Sequence, residues 1–599
     1  MNRRTMLRQS AAAAASFSLA GLARDEALAA DPANIGRAKR GMVATVHPLA
    51  TDAGVNAIKR GGNAIDAAIA AAITLGVVDQ HNSGLGGGCL ILIYPGMPLQ
   101  GSQDSPGKPR PVVAAIHLAI DGRETAPGKA TRDMFLVDGQ PQPTLSQTGP
   151  LAVATPGALA AYDLALKRRG KLPLKELVIP AAEIAEAGFS LDRIYAGNIR
   201  STRESLAKFD AGRKLLLAED GSPLPEGTLI KQPDLARTLR SIADQGIDWF
   251  YRGEFARLVG EWMQANGGIL RASDFAAYRP QYRMPVRSSY REHEILGFPP
   301  PSSGGVHVAQ ILNILEHFDL DGIYHRDRAE FMHLVAEAMK LAFADRAHWL
   351  GDPEFVKVPA GLADSDYAAK LAAKIDLEKA TPVAGHGEPA DPETRTYGKL
   401  SPLIFEKHTT HIAAADADGN WVGITQTINT SFGSKVMVPG TGVFLNNEMD
   451  DFSIFPGQPN AFGLVGSEAN AIAPGKRPLS SMSPTIVIDR DGQPIMTLGA
   501  AGGPTIISQV AHAIVRLLDL HLPLAEALAM PRFHHQWSPD ELRIEEGLDE
   551  KTKQGLAQRG HKLKVVPRMG VSQLIRREPL TKEFAGIHDP RVPGKAAGL

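Results

Sequence analysis

Two threonines stand between two histidines in "EKHTTHIAAADADG", residues 406–419. A threonine hydroxyl is a poor nucleophile without a base beside it. One solution uses the α-amino group of the same residue at a chain terminus. That amine has a reference pKa of about 7.7–8.0, so a useful fraction is neutral near pH 7. An internal threonine gains such an amine only if the chain is cut just before it. Upstream, "EKATPVAGHGEPADPETRTYGKLSP" (378–402) mixes Pro, Gly and charge without periodicity and predicts a long exposed linker. A linker running into a strand that begins at Thr409 is a layout suited to such a cut. Taken alone, the same residues also suit the start of an ordinary strand.

Downstream stretches add further chemistry. "FLNNEMDDFS" (444–453) crowds Asn446, Asn447, Glu448, Asp450 and Asp451 together. "KRPLSSMSPT" (476–485) pairs Ser480 with Ser481, and "GAAGGPT" (499–505) follows the strand-like "PIMTLG" with consecutive backbone N–H groups at Gly502 and Gly503. Singly, each also reads as a solvated turn or loop, and Arg123 reads as a surface ion pair.

The elements that must position these residues are legible in part. "THIAAA" and "NWVGITQTI" flank the turn signal "DADGN" and predict a hairpin. With a loop over 416–420, Ala415 faces Trp421 and Thr409 falls opposite Thr427. Alternation then puts Thr409, Thr425, Thr427 and Asn429 on one face, a site, and Ile412, Val422, Ile424 and Ile428 on the other, a core. Residues 155–350 read as mostly helical. "AIDAAIAAAITLGVV" (64–78) predicts a small-residue helix packed inside the fold, too short to span a bilayer. The loop 96–110 has no periodicity, and the G-x-G-x-x-G pattern fails because its sixth position is Cys89.

The chain has 599 residues, 44% hydrophobic, with formal net charge −1, so no bulk pull toward nucleic acid or acidic lipid is expected. The single cysteine, Cys89, excludes an internal disulfide and a cysteine zinc site, and its apolar run marks it as a small buried residue. Residues 1–29 combine basic residues, an Ala-rich stretch and "ALA" at 27–29, which predicts a cleavable secretory signal and a periplasmic or secreted protein. "RRTML" resembles a twin-arginine signal.

Together these stretches resemble the γ-glutamyltransferase family, also called glutathione hydrolases. The resemblance spans nearly all of the chain after the signal and includes "DGRETAPGKATRDM" (121–134), "PPPSSGG" (299–305), "HWLGDP" (348–353) and "PRFHHQW" (531–537). It implies an α+β N-terminal-nucleophile hydrolase fold, an αββα sandwich, made as a precursor that cuts itself between His408 and Thr409. A large subunit (30–408) and a small catalytic subunit (409–599) would remain together as a heterodimer. By resemblance Thr409 is the nucleophile, Thr427 its hydrogen-bonding partner, and Gly502 and Gly503 the oxyanion hole. Asn429, Glu448 and Asp451 match residues that hold the donor's α-ammonium, and Arg123, Ser480 and Ser481 match those that hold its α-carboxylate. The implied donors are glutathione and other γ-glutamyl compounds, the acceptors water, amino acids or peptides, and no metal or organic cofactor is implied. Pro504, after Gly503, departs from the family pattern. A lid is expected from Phe452 to about Pro478, with Phe462 as its aromatic gate.

Three rival readings stand beside this one. They are a glutaryl or cephalosporin acylase of the same fold, a periplasmic amino-acid-binding protein, and a serine enzyme suggested by "SLAK" (205–208). The last lacks accompanying SDN or KTG elements. His534 and His535 are adjacent, the wrong spacing for a helical metal pair, and read as structural.

Overall fold

The computed structural model describes residues 32–96, 117–390, 409–455, 457 and 460–599. The expected signal segment 1–29, most of the loop 96–110, the end of the linker 378–402 and His408 lie outside the described residues.

Two seven-stranded sheets pack face to face. The first runs, edge to edge, through Lys595–Gly598, Gly41–Thr45, Thr410–Asp416, Trp421–Thr427, Gly88–Tyr94, Leu118–Gly122 and Gln281–Arg283. The second runs through Ile35–Ala38, Phe584–His588, Val571–Arg577, Pro494–Ala501, Thr485–Ile488, His293–Gly297 and Val286–Tyr290. Both sheets mix strands from before and after residue 409.

A helical layer covers each outer face. The helix Ala64–Val78 is buried along its whole length against the first sheet. Its small residues allow this close approach, and Asn63 and Asp66 cap its first turn reciprocally. The helices Gly304–Leu315 and Thr505–Leu518 pack on the second sheet, with Arg328–Trp349 behind the former. Helix, sheet, sheet and helix form the αββα sandwich that the sequence implies.

The hairpin register is the expected one: Ala415 pairs with Trp421 and Thr410 with Gln426, so Thr409 stands opposite Thr427. The turn is one residue shorter than expected, because Asp416 stays in the strand and its carboxylate accepts from the backbone of Ala64 and Asn420. Ile412, Val422, Ile424 and Ile428 join the core under the helices. The opposite face is only partly a site. Ala413, Ala415 and Trp421 on it fill the core between the sheets with Leu296, Phe298 and Ile486. The end at residues 409 and 427 opens onto a cavity.

Two other expectations change. Within the largely helical stretch, Val286–Tyr290 and His293–Gly297 form a hairpin at the edge of the second sheet. The described part of the linker, up to residue 390, is irregular but tied down. Buried carboxylates of Glu337 and Asp345 accept from the backbone N–H of Thr381 and Gly387, and Trp537 donates to the carbonyl of Val383. Its backbone is held by fixed partners, while the charged side chains of Glu378, Lys379 and Glu388 face solvent.

Candidate active site

Thr409 sits just before the strand Thr410–Asp416, 7% exposed. Its hydroxyl lies 3.3 Å from that of Thr427, which also accepts the backbone N–H of Asn429 at 2.8 Å. Asn429 holds a positive φ of 79° where the chain turns out of the strand Trp421–Thr427. Its side-chain amide donates to the carbonyl of Asn447 at 2.9 Å, which fixes the side-chain oxygen toward the cavity beside Thr409.

Gly502 (φ 132°) and Gly503 (φ 55°) link the strand Pro494–Ala501 to the helix Thr505–Leu518. These left-handed conformations suit glycine, and a Cβ on Gly502 would fall 2.5 Å from Thr505 Oγ1. Their N–H groups lie at a helix N-terminus, where backbone donors and the helix dipole favour negative charge. Pro504 occupies the N-cap, a position that does not need its missing N–H.

Glu448–Asp451 forms one tight helical turn. Arg123 Nη1 donates to Glu448 Oε2 at 2.6 Å and to Glu124 Oε2 at 3.3 Å, while Nη2 donates to Asp451. The expected carboxylate-holding arginine is therefore already enclosed by acids. Burial would pull its pKa down, but Glu448, Asp451 and Glu124 outweigh burial and hold it above the ordinary range. Burial pushes Glu448 and Asp451 upward and Glu124 up to about 7. No donor among the described residues reaches the buried Oε1 of Glu448. Asp450, by contrast, turns away from this cluster. It accepts from Ser146 Oγ at 2.6 Å and from the N–H of Ala461 at 2.9 Å, and so anchors the lid.

Ser480 and Ser481 sit on a loop buttressed by "PPPSSGG". Ser480 N–H donates to the carbonyl of Pro301, Ser303 donates to that of Ser480, and Ser302 Oγ donates to that of Met482. Arg346, near the end of the helix Arg328–Trp349, donates to Ser481 Oγ at 3.0 Å and to Ser303 Oγ at 2.9 Å.

Thr409, Thr427, Asn429, Glu448, Asp451, Arg123, Ser480, Ser481 and Gly503 together line a cavity of about 20 Å³. Phe462 and Leu464 of the expected lid also line it, and Gln536 holds the lid by donating to the carbonyls of Phe462 and Gly463. Gly502 and Thr409 border a second cavity of about 540 Å³. Every expected site residue except His408, which lies outside the described residues, thus reaches one of two spaces that meet at Thr409.

Sequence reasoning missed Arg346, Glu124 and Gln536. Arg346 sits at the end of an apolar helix and reads as its polar margin. Glu124 and Gln536 stand inside quoted motifs, next to Arg123 and His535, but nothing local gives their partners. His535 accepts a structural role, with Nε2 3.1 Å from Asp540. Of the described residues, His333, Glu337 and His561 bring possible metal ligands within 4.8 Å of one another, but Lys340 Nζ already bonds Glu337 at 2.6 Å.

Comparison with known proteins gives a consistent picture. The description of the Gamma-glutamyltranspeptidase family matches residues 50–599. A glutathione hydrolase proenzyme of Escherichia coli (strain K12) is 43% identical over 557 residues, 93% of this chain and 91% of the relative. An Acylase ACY 1 proenzyme of Pseudomonas sp. (strain SE83) is 40% identical over 541 residues, 88% of each chain. The crystal structure of cephalosporin acylase from Bacillus halodurans superposes with a TM-score of 0.79 at 30% identity, covering 94% of this chain and 97% of that one. The chain belongs to the gamma-glutamyltranspeptidase family of enzymes.

Proposed function

We propose that the chain is a γ-glutamyltransferase and glutathione hydrolase. It is made as a precursor that cuts itself between His408 and Thr409 into a large subunit (30–408) and a small subunit (409–599). The observation that carries this reading is the small cavity beside the paired hydroxyls of Thr409 and Thr427. It offers an unfilled acceptor at Glu448 and hydroxyls at Ser480 and Ser481, the two halves of a zwitterion site.

In the cutting step Thr409 Oγ attacks the carbonyl carbon of His408. The acyl group moves from nitrogen to oxygen, which breaks the His408–Thr409 C–N bond and frees the Thr409 amine. Water then hydrolyses the ester to release the His408 carboxylate and the Thr409 hydroxyl. In turnover that amine takes the Thr409 hydroxyl proton as Oγ attacks the γ-carbonyl of the donor. The N–H groups of Gly502 and Gly503 receive the oxyanion, an interaction typically worth about 2.7–4 kcal/mol per donor. As the C–N bond breaks, the amine returns its proton to the departing nitrogen. Water, an amino acid or a peptide then attacks the γ-glutamyl ester and regenerates Thr409. Asn429, Glu448 and Asp451 hold the donor's ammonium, and Arg123, Ser480 and Ser481 its carboxylate. Residues 1–29 direct export to the periplasm or medium.

N-terminal sequencing of the purified protein tests the cut, with a smaller chain beginning Thr-Thr-His-Ile as the expected result. A single uncut chain with full activity would sink the mechanism. The acylase reading draws on the likeness to the two acylases above. It predicts that glutaryl-p-nitroanilide turns over as fast as γ-glutamyl-p-nitroanilide.

A further inference from the structure

The small cavity holds a second guanidinium, and its surroundings differ from those of Arg123. Arg123 faces Glu448, Asp451 and Glu124 at hydrogen-bonding distance. Arg346 is equally buried, yet no carboxylate of the described residues lies within 4 Å of it. Its recorded partners are the two neutral hydroxyls of Ser303 and Ser481. Burial lowers its pKa to about 10, with Asp451 opposing from farther off, so at neutral pH it remains a charged cation lining the cavity with no carboxylate in contact. A buried charge without a counterion is costly, and an anion entering the cavity would relieve that cost.

Hydrogen-bond direction sharpens the point. A guanidinium only donates. Because Arg346 Nη2 donates into Ser481 Oγ, the hydroxyl proton of Ser481 must point elsewhere, and no acceptor among the described residues takes it. Ser480 is set the same way, since the N–H of Met482 donates into its Oγ at 3.1 Å. Both hydroxyls lining the cavity are thereby turned into donors for whatever enters. Arg346 also fixes the loop from behind, because Ser303, which accepts from its Nε, donates to the carbonyl of Ser480 at 2.8 Å. The cavity is thus polarised: its Arg123 end carries more acid than base, and its Arg346 end is positive.

We propose that Arg346 is a positioning residue for the donor's α-carboxylate, which turns Ser481 into a hydroxyl donor and supplies the positive charge that Arg123, shared among three acids, supplies only in part. The inference rests on the γ-glutamyl reading above. Arg346 lies before the cut and Ser481 after it, so the carboxylate end of the site is completed across the two subunits.

The test compares γ-glutamyl-p-nitroanilide with 4-aminobutanoyl-p-nitroanilide, which keeps the ammonium and the scissile amide but lacks the carboxylate. Failure of the wild type to hydrolyse the first substrate would overturn the functional reading itself. For Arg346→Gln, KM for the γ-glutamyl substrate should rise about 10- to 100-fold, the scale of a lost hydrogen bond to a charged group. The 4-aminobutanoyl substrate should change less than about threefold. Adding Ser481→Ala to Arg346→Gln should cost clearly less than the product of the two single losses, because the orientation of the Ser481 hydroxyl has been removed twice. Equal losses on both substrates, or losses that multiply in the double variant, would make Arg346 a structural residue and overturn the proposal. Ser303→Ala is a gentler probe should Arg346→Gln not fold. It leaves the charge, frees one anchor, and should reduce the preference for the carboxylate-bearing substrate a few-fold. An unchanged preference would count against the proposal in the same way.

Discussion

Two cavities meet at Thr409, and they are built on opposite plans. The smaller, about 20 Å³, is lined by side chains held in place by protein partners, Arg123 by three carboxylates, Ser481 by Arg346 and Asn429 by Asn447, while Glu448 Oε1 and the hydroxyl protons of Ser480 and Ser481 are left for a ligand. The larger, about 540 Å³, is bordered by the strand residues Arg543 and Lys564 and the loop residues Arg568 and Met569, with His47 and Asp79 also on its border. A site built to bond a particular polar group rejects analogues lacking it strongly, because its own buried groups are left without partners. A roomy site discriminates weakly. On the γ-glutamyl reading proposed above, one flank of Thr409 would recognise one zwitterion, and the other would admit varied groups on the departing or attacking nitrogen. If that contrast is right, damage on the small side should be severe and substrate-specific, and damage on the large side mild.

The largest effect belongs to the atom common to both cavities. Thr409→Ala should abolish self-cutting and lower turnover by at least about 10⁴-fold, as loss of a covalent nucleophile does elsewhere. Gel analysis and a p-nitroanilide assay on the same preparation check both. Thr410→Ala should keep some of each activity. Thr410 pairs with Gln426 in the ladder and does not line the small cavity. A dead Thr410→Ala beside an active Thr409→Ala would exchange their roles.

Next comes the ammonium. A glutaryl donor leaves Glu448, Asp451 and Asn429 without the charge they would surround. Breaking such a buried charged contact costs about 3–5 kcal/mol. By kcat/KM, γ-glutamyl-p-nitroanilide should therefore exceed glutaryl-p-nitroanilide by at least about a hundred-fold. Asp451→Asn should narrow the gap by harming the γ-glutamyl substrate more. Comparable wild-type rates would favour the acylase reading and dissolve the contrast between the cavities.

A smaller effect is expected at the roof of the small cavity. Gln536→Ala removes the donor that holds the carbonyls of Phe462 and Gly463, leaving buried acceptors unpaired at about 1–3 kcal/mol. The lid should loosen, and KM for the γ-glutamyl substrate should rise about 5- to 50-fold with kcat changed less. A fall in kcat with KM unchanged would mean that Gln536 acts on the chemistry and not through the lid.

How far the sequence revealed this arrangement depends on the range of each interaction. The Thr409–Thr427 pairing follows from alternation across one short hairpin, and its register is the one observed. The motifs around Glu448, Ser480 and Gly502 were visible as clusters of unusual residues. Less visible was what holds them. "PPPSSGG" matters because it supports the Ser480–Ser481 loop from 177 positions away, and Arg346 matters through Ser481 at a separation of 135. Neither pairing leaves a local pattern. The enclosure of Arg123 by acids was hidden for the same reason. Asp121, Glu124, Glu448 and Asp451 read as separate polar residues until folding puts them around one guanidinium or its backbone. The irregular run after residue 378 carried the composition of a free linker, yet its backbone is held by buried acids elsewhere in the chain.

The smallest effect tests the large cavity. Arg568 is exposed on its rim, and its one recorded bond reaches the carbonyl of Arg591 at 3.5 Å, the limit of a hydrogen bond. A solvated cation of this kind interacts weakly and is screened by salt, with a Debye length of about 10 Å at 0.1 M and about 3 Å at 1 M. Arg568→Ala should therefore leave hydrolysis of γ-glutamyl-p-nitroanilide within about twofold of wild type, because the small cavity and Thr409 are untouched. It should raise KM for a dipeptide acceptor such as glycylglycine about two- to fivefold at low salt, and the difference should vanish at 1 M salt. A loss of a hundred-fold or more, or one indifferent to salt, would mean that the large cavity binds its ligand as specifically as the small one. The division of labour between the two flanks of Thr409 would then be wrong.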